Sequence, residues 1–288
     1  MLLFPPPAAS QLYLGYKTIS PDDIVNFNAE VVLVTTLKSE SIITALKQSN
    51  LKNSKTKIEP LIKENIGHKL KKYLLRTFNP PIRDFGTNNK IILIKANGQI
   101  IYNPKPKGLY VTFWGDNNVL EIKEPLKYKR IGIGFKGSDS RVILEQDGVY
   151  KKLDIAIGNS SNIYIGKKTT IENASIYASN QAHTLTHIGD DCMISYDVLI
   201  KPTDSHTIYD IDTMKVVNNK SKEIKIGNHV WIGARCTILK GTQIPDNCVI
   251  GAASLLSKEY TVPNSIIAGT PAQIIKNNIN WDERGIES

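Results

Sequence analysis

The sequence predicts a mainly β solenoid preceded by a small α/β segment, and three observations carry that prediction. Counting in sixes from Ile226 gives Ile232, Ile238, Ile244, Ile250, Leu256, Val262, Ala268 and Ile274, all aliphatic or small. The following position is often Gly or Pro (Gly227, Gly233, Pro245, Gly251, Pro263, Gly269), and the position four after each start is usually small or β-branched, as in Val230, Cys236, Thr242, Cys248 and Ser254. A strand repeats every two residues and a helix every 3.6, so a period of six with a turn residue after the aliphatic one describes a short strand and a corner, repeated. The second observation is a looser repeat upstream. Gly115-Asp-Asn-Asn-Val-Leu-Glu-Ile, Gly137-Ser-Asp-Ser-Arg-Val-Ile-Leu and Gly158-Asn-Ser-Ser-Asn-Ile-Tyr-Ile begin 22 and 21 residues apart, about one wide coil each. The third is a phase break. The hexads run backwards through Ile200, Ile194, Ile188, Ala182 and Ile176, but from Ile200 to Ile226 the step is 26 residues, two more than four hexads.

Taken in order, residues 1–107 form the α/β segment, 108–275 the solenoid with an insertion at 203–225, and 276–288 a tail. Val-Val-Leu-Val-Thr at 31–35 is a continuous apolar run that fits a buried parallel strand. A helix is expected over 39–48, and an amphipathic one from Ile58 to Arg76, with Leu61, Ile62, Ile66, Leu70 and Leu74 on one face. Pro80-Pro81 closes this region, and residues 90–102 alternate around Asn97-Gly98, the signal of a tight hairpin.

Composition excludes some classes. At 288 residues, 41% hydrophobic and 22% charged, the chain is ordinary for one or two domains. No apolar run approaches the ~18 residues that span a bilayer, and the apolar stretch before Pro5-Pro6-Pro7 is far too short for a signal peptide, so a cytoplasmic protein is expected. The net charge of +9 is concentrated at 38–76, where ten Lys or Arg face three Asp or Glu, without aromatic interleaving. Nucleic acid is therefore not expected as a partner. Cys192, Cys236 and Cys248 each fall four residues after an aliphatic start, so they read as reduced core filler, and no metal set is evident.

The hexads resemble the hexapeptide-repeat acyltransferases. That resemblance implies a left-handed parallel β-helix of triangular section, three hexapeptides to a coil, and a trimer with active sites between subunits. Residues 267–272 (Ile-Ala-Gly-Thr-Pro-Ala) look like the family's terminal signature for coenzyme A binders, and acetyl-CoA is the implied donor. In the insertion, Asp204-Ser205-His206 with Ile208-Tyr209-Asp210 resembles the sugar O-acetyltransferase version, which implies His206 as general base. The chemistry agrees, because a group titrating near neutrality must take the proton of the attacking hydroxyl.

Around His206, Asp204 is a candidate to orient the imidazole, or else a turn former. Tyr209, Asp210 and His183 are candidates for acceptor binding, with His187 in the same coil. The resemblance places Trp231 beside the pantetheine arm or acceptor sugar. Gly233, Ala234 and Ala252 lack the bulk that would block an extended pantetheine, Ser257-Lys258 matches the pair that meets the nucleotide end, and Lys258 and Lys276 supply charge for phosphates. No cysteine lies at the loop, which favours direct transfer in a ternary complex. The expected function is acetyl-CoA-dependent O-acetylation of a sugar in a bacterial surface polysaccharide or its precursor. N-acetylation of an amino-sugar nucleotide and a non-catalytic β-helix subunit are the alternatives.

Overall fold

The computed structural model describes residues 81–218 and 223–284, together with four short strands nearer the N-terminus. The chain divides into two units at Pro80–Pro81. In the first, Leu12–Tyr13 pairs antiparallel with Tyr16–Lys17, and Val31–Val34 pairs in parallel with Lys57–Pro60. The strand expected at 31–35 is thus present. The amphipathic helix was expected to begin at Ile58, but residues 57–60 are strand; the rest of that helix, and the one at 39–48, lie outside the described residues.

The second unit is a parallel β-solenoid of about seven turns, with no helix among the described residues. Each coil lays down three short strands. Along the coil from Val198 to Leu239, Val198–Lys201 lies on the first face, Ile224–Ile226 on the second and Trp231–Ile232 on the third, before Thr237–Leu239 returns to the first. Parallel register stacks like on like. Ile176, Ile200, Ile238 and Leu256 form one ladder, Ile165, Ile188, Ile226 and Ile244 a second, and Ile171, Ile194, Ile232 and Ile250 a third. All of these are at most 2% exposed, so the six-residue period is the period of the core. The small slot is inward too, since Val230, Cys236, Thr242, Cys248 and Ser254 are buried.

Corners explain the residues between strands. Where the second face turns to the third, Asp190 Oδ1 accepts from Lys167 N (2.8 Å), Asn228 Oδ1 from Asp190 N (2.9 Å) and Asp246 Oδ1 from Asn228 N (2.7 Å). Each side chain thus satisfies a main-chain donor of the preceding coil, where a strand ladder cannot. Where the first face turns to the second, Asn88, Asn117, Asp139, Ser160 and His183 all adopt positive φ. Apart from Ser160 and His183, this column is the Asn and Asp that tolerate the left-handed region best.

Four expectations are corrected. The solenoid begins upstream of Gly108, because Ile82–Asp84 pairs in parallel with Leu109–Phe113 and Lys90–Ile94 with Val119–Lys123. The hairpin around Asn97-Gly98 is present, Lys90–Ile94 with Ile100–Tyr102, but it hangs from this first coil rather than from the α/β segment. The hexad phase fails after Leu256. Val262 is 37% exposed and Ala268 is not core; Ile267 pairs with Ile250 instead, and Tyr260, whose hydroxyl donates to Ala272 O (3.1 Å), fills the space. The chain then doubles back, with Ser265–Gly269 antiparallel to Ala272–Asn277, and this hairpin covers the last coil. Finally, Ala182 leaves the aliphatic ladder, and Thr184 and Thr186 are buried in that coil.

Candidate active site

The insertion occupies the corner where the first face would turn to the second, between Lys201 and Ile224. Its outer part is a narrow hairpin: Tyr209 bridges Val216 and Val217 N donates to Ile208 O (2.9 Å). Asp210 closes the tip by accepting from Thr213 N (2.8 Å) and Thr213 Oγ1 (2.7 Å), bonds that hold its carboxyl below the ordinary carboxylate range. Asp210 is therefore a turn former in this chain. Tyr209 is half-exposed beside it.

The base of the insertion carries the chemistry. Ser205 N donates to Thr203 Oγ1 (3.0 Å), and Ser205 takes a positive φ, so the chain turns sharply just before His206. His206 is exposed at a cleft of about 330 Å³ that it shares with Thr203, Asp204, Val216 and Asn218 of the insertion and Asn180 and Gln181 of the preceding coil. Asn218 binds the two strands of the base together. Its Nδ2 donates to His206 O (2.8 Å) and Asp204 Oδ2 (2.9 Å), and its Oδ1 accepts from Ile208 N (2.7 Å).

Asp204 does not orient the imidazole: among the described residues no hydrogen bond joins it to the His206 ring. Its Oδ2 instead accepts from Lys240 Nζ and from Asn218. The Lys240 bond is the main reason its carboxyl sits below the ordinary range. Lys240 and Asn218 were missed in the sequence. Lys240 was findable, because Leu239 registers with Lys201, which puts the next residue of that coil at the insertion's root; nothing in the sequence marks Asn218.

Of the other histidines, His183 stands at the same corner as the insertion one coil earlier, and His187 and His229 lie elsewhere. His183 is the positive-φ corner residue of its coil, with its N donating to Asn159 O (3.1 Å). His187 sits on the second face, stacked on Tyr164 (4.8 Å between centroids, 7° between planes), with burial pushing its pKa down. His229 is held at a corner by Asp191 Oδ2 (3.0 Å) and Trp281 O (3.1 Å), and Trp281 stacks on it at 4.2 Å. The tail thus folds back on the solenoid, and Trp281 comes within 6.2 Å of Trp231.

The candidate cofactor residues divide between two edges of the first face. Gly233 and Ala234 turn the third face into the first, with Ala252 and Ala253 beneath them; Ala253 N donates to Ala234 O (2.8 Å). A Cβ on Gly233 would meet Ala252 N and Ile250 O at 2.7 Å, so this glycine is also required by coil stacking. Trp231, 38% exposed, precedes this strip of small residues. Ser257 and Lys258 follow the first face at its far edge, where Lys258 Nζ donates to Gln273 Oε1 (2.7 Å), and Lys276 is exposed on the terminal hairpin. Within one chain, then, the small strip and His206 stand at opposite edges of the first face, about 13 Å apart for a four-residue strand. The cysteines are buried, with burial pushing the Cys192 thiol up to about 12, and no metal-holding cluster occurs among the described residues.

A bacterial transferase hexapeptide model of six repeats matches residues 223–258. A polysialic acid O-acetyltransferase of Neisseria meningitidis is 35% identical over 174 residues, 60% of this chain and 80% of that protein. The chain belongs to the hexapeptide-repeat acetyltransferases. A galactoside O-acetyltransferase of Escherichia coli (strain K12) is 30% identical over 164 residues, 52% of this chain and 77% of the relative. A crystal structure of a polysialic acid O-acetyltransferase superposes with a TM-score of 0.63 at 31% identity, covering 72% of this chain and 93% of that one. This protein is accordingly an acyltransferase.

The anchoring of the acetyltransferase loop is testable. The Asp204 carboxyl is lowered in the folded state, so its contribution is present above the ordinary carboxylate pKa and is lost as pH falls through the lowered folded value. The pair is partly open to solvent, which limits its global worth to about 1 kcal/mol. Lys240→Met is therefore expected to leave the urea midpoint nearly unchanged while hydrogen exchange over 204–218 accelerates. Unchanged exchange there would remove Lys240 as the anchor.

Proposed function

We propose that this acetyltransferase moves the acetyl group of acetyl-CoA to a sugar hydroxyl of a bacterial surface polysaccharide or its precursor, with His206 as general base. The observation that carries the reading is the exposed imidazole at the mouth of a cleft built by the one long insertion in the solenoid. The relatives named for polysialic acid and galactoside acetylation support a sugar acceptor. His206 takes the hydroxyl proton as the oxygen attacks the thioester carbonyl. The C–O bond forms, the C–S bond breaks, and the proton passes to the coenzyme A thiolate.

Residues present in the chain fit the donor. Ala234 and Ala252 leave a low surface for an extended pantetheine above the buried Gly233, Trp231 offers an exposed aromatic surface beside it, and Ser257, Lys258 and Lys276 supply hydrogen bonds and charge for phosphates. Gly233 N is already bonded to Ile250 O (2.9 Å), so an oxyanion donor must come from another amide of this strip. Because the strip and His206 face opposite edges in one chain, a complete site needs a second copy, which supports a trimer. Direct transfer in a ternary complex is supported by the burial of all three cysteines away from the cleft. The supply of acetyl-CoA puts the reaction in the cytoplasm; no described helix is long and apolar enough to cross a membrane.

The test is release of coenzyme A thiol from acetyl-CoA with polysialic acid, a neutral oligosaccharide or an amino-sugar nucleotide as acceptor. Release that depends on a glycan hydroxyl is expected. Release only with the amino-sugar nucleotide, or none with any acceptor, overturns the proposal.

A further inference from the structure

The early coils carry a surface that the reaction at His206 does not use. Two outward rows cross the first face of these coils, Tyr110, Gly132, Asp154 and Ser175 in one and Thr112, Gly134, Ala156 and Tyr177 in the other, so small residues occupy the middle of each. Glycine inside a strand weakens it and often marks a place where another molecule approaches closely. Here the close approach is made by the chain's own side chains, which a larger residue would push outward: a Cβ on Gly134 would stand 3.2 Å from the Trp114 ring, and one on Gly132 2.7 Å from Asp154 Oδ1. Three exposed aromatics border the shallow floor, Tyr110 (49%), Trp114 (44%) and Tyr177 (46%).

Charge accompanies the rings. Lys136 Nζ lies 3.4 Å from the Trp114 centroid, and the Arg130 guanidinium 5.9 Å from that of Tyr110. The one carboxylate in the floor, Asp154, is shared by Arg130 (2.7 Å) and Lys152 (3.7 Å), so the balance is positive. The hydrogen-bond ladder fixes where this surface leads. Trp114 N donates to Phe135 O, Lys136 N to Ile157 O and Gly158 N to Ala178 O, so Trp114, Lys136, Gly158 and Ser179 occupy successive steps of one column. Three steps of about 4.8 Å bring Trp114 within ~14 Å of Ser179. The residues after Ser179, Asn180 and Gln181, line the His206 cleft.

We propose that this floor is a binding track for an acidic polysaccharide chain, which it delivers along the first face to the His206 cleft; the inference rests on the polysaccharide-acceptor reading above. Rings beside a flat floor suit the apolar C–H faces of sugars, and Lys136 and Arg130 select carboxylated chains over neutral ones.

The test uses the full-length protein with Trp114→Ala, Lys136→Glu and the double variant, and measures binding of size-fractionated polysialic acid by calorimetry without acetyl-CoA. Neutral dextran is the control, and light scattering reports oligomeric mass. The expected result is at least a tenfold weakening for long chains in the double variant and little change for the shortest. Unchanged affinity in the variants, or wild-type binding no tighter to polysialic acid than to dextran, overturns the track. A changed oligomeric mass in the variants also overturns it, by making the face a contact between copies. Binding that depends on the track without any acetyl transfer leaves the track standing and removes the acceptor reading; transfer to long chains unaffected by the variants does the reverse.

Discussion

Replacing His206 by Ala is expected to lower kcat for acetyl transfer by about 100- to 10,000-fold, the range over which a positioned general base acts. The fold should be indifferent to the change. His206 is exposed, and the bond that ties it to the insertion uses its main-chain carbonyl, which Asn218 keeps whatever the side chain. A surface substitution of this kind shifts stability by about 0.5 kcal/mol or less. The measurement is therefore a pair: thiol release with the best acceptor, and hydrogen exchange over 204–218 on the same preparation. Wild-type turnover in the variant would end the assignment of His206. Loss of turnover together with accelerated exchange there would mean that the loop, rather than the base, had been damaged.

The solenoid was legible in the sequence because its period belongs to the core. Ile226, Ile232, Ile238, Ile244, Ile250 and Leu256 are each at most 2% exposed, and residues that must all be inward cannot drift in spacing. The same logic shows why the reading failed at the end. Val262 and Ala268 kept the count by chemistry alone, while Ile267, one residue out of phase, took the core position once the chain turned back on itself. The first coil was missed for a different reason: Gly86-Thr-Asn-Asn-Lys-Ile-Ile-Leu does repeat the Gly-led pattern of Gly115, but the hairpin that follows Lys90–Ile94 lengthens the step to 29 residues, against 22 and 21 for the later coils, so the spacing hid it.

At the site, the place was legible and the wiring was not. A broken phase pointed to the insertion, and the cleft is there. The role of Asp204 depends on Lys240, which is 36 residues away in sequence but one coil away in register, and on Asn218, whose position follows only from the closed hairpin. The tail shows the same limit, since Trp281 meets His229 across 52 residues and no periodicity announces that contact.

The register that defeats local reading also sets the largest stability effect. A Cβ on Gly189 would lie 2.4 Å from Gly227 O and 2.6 Å from Gly227 C, and one on Gly166 would lie 2.4 Å from Gly189 O, so three coils meet main chain to main chain in a single column. Neither neighbour is the end of a flexible side chain that can swing aside. Gly189→Ala is expected to lower stability by about 3 kcal/mol, the upper range for overpacking a close contact. Gly98 is the control: its substitution meets nothing within 4 Å, so only its positive φ is strained, at about 1–2 kcal/mol. Urea unfolding of both variants separates the two causes, and a Gly189→Ala midpoint above that of Gly98→Ala would refute the backbone-contact account. The contact lies one strand away from the insertion. Gly189 follows Leu185–Ile188 and Gly227 follows Ile224–Ile226, the two second-face strands that pair directly across the insertion. Because each solenoid coil is held by its immediate neighbours, a wedge at this step strains the root of the loop before it strains the distant coils. Gly189→Ala is therefore expected to lose acetyl transfer at urea concentrations where its global fold, followed by circular dichroism, still persists.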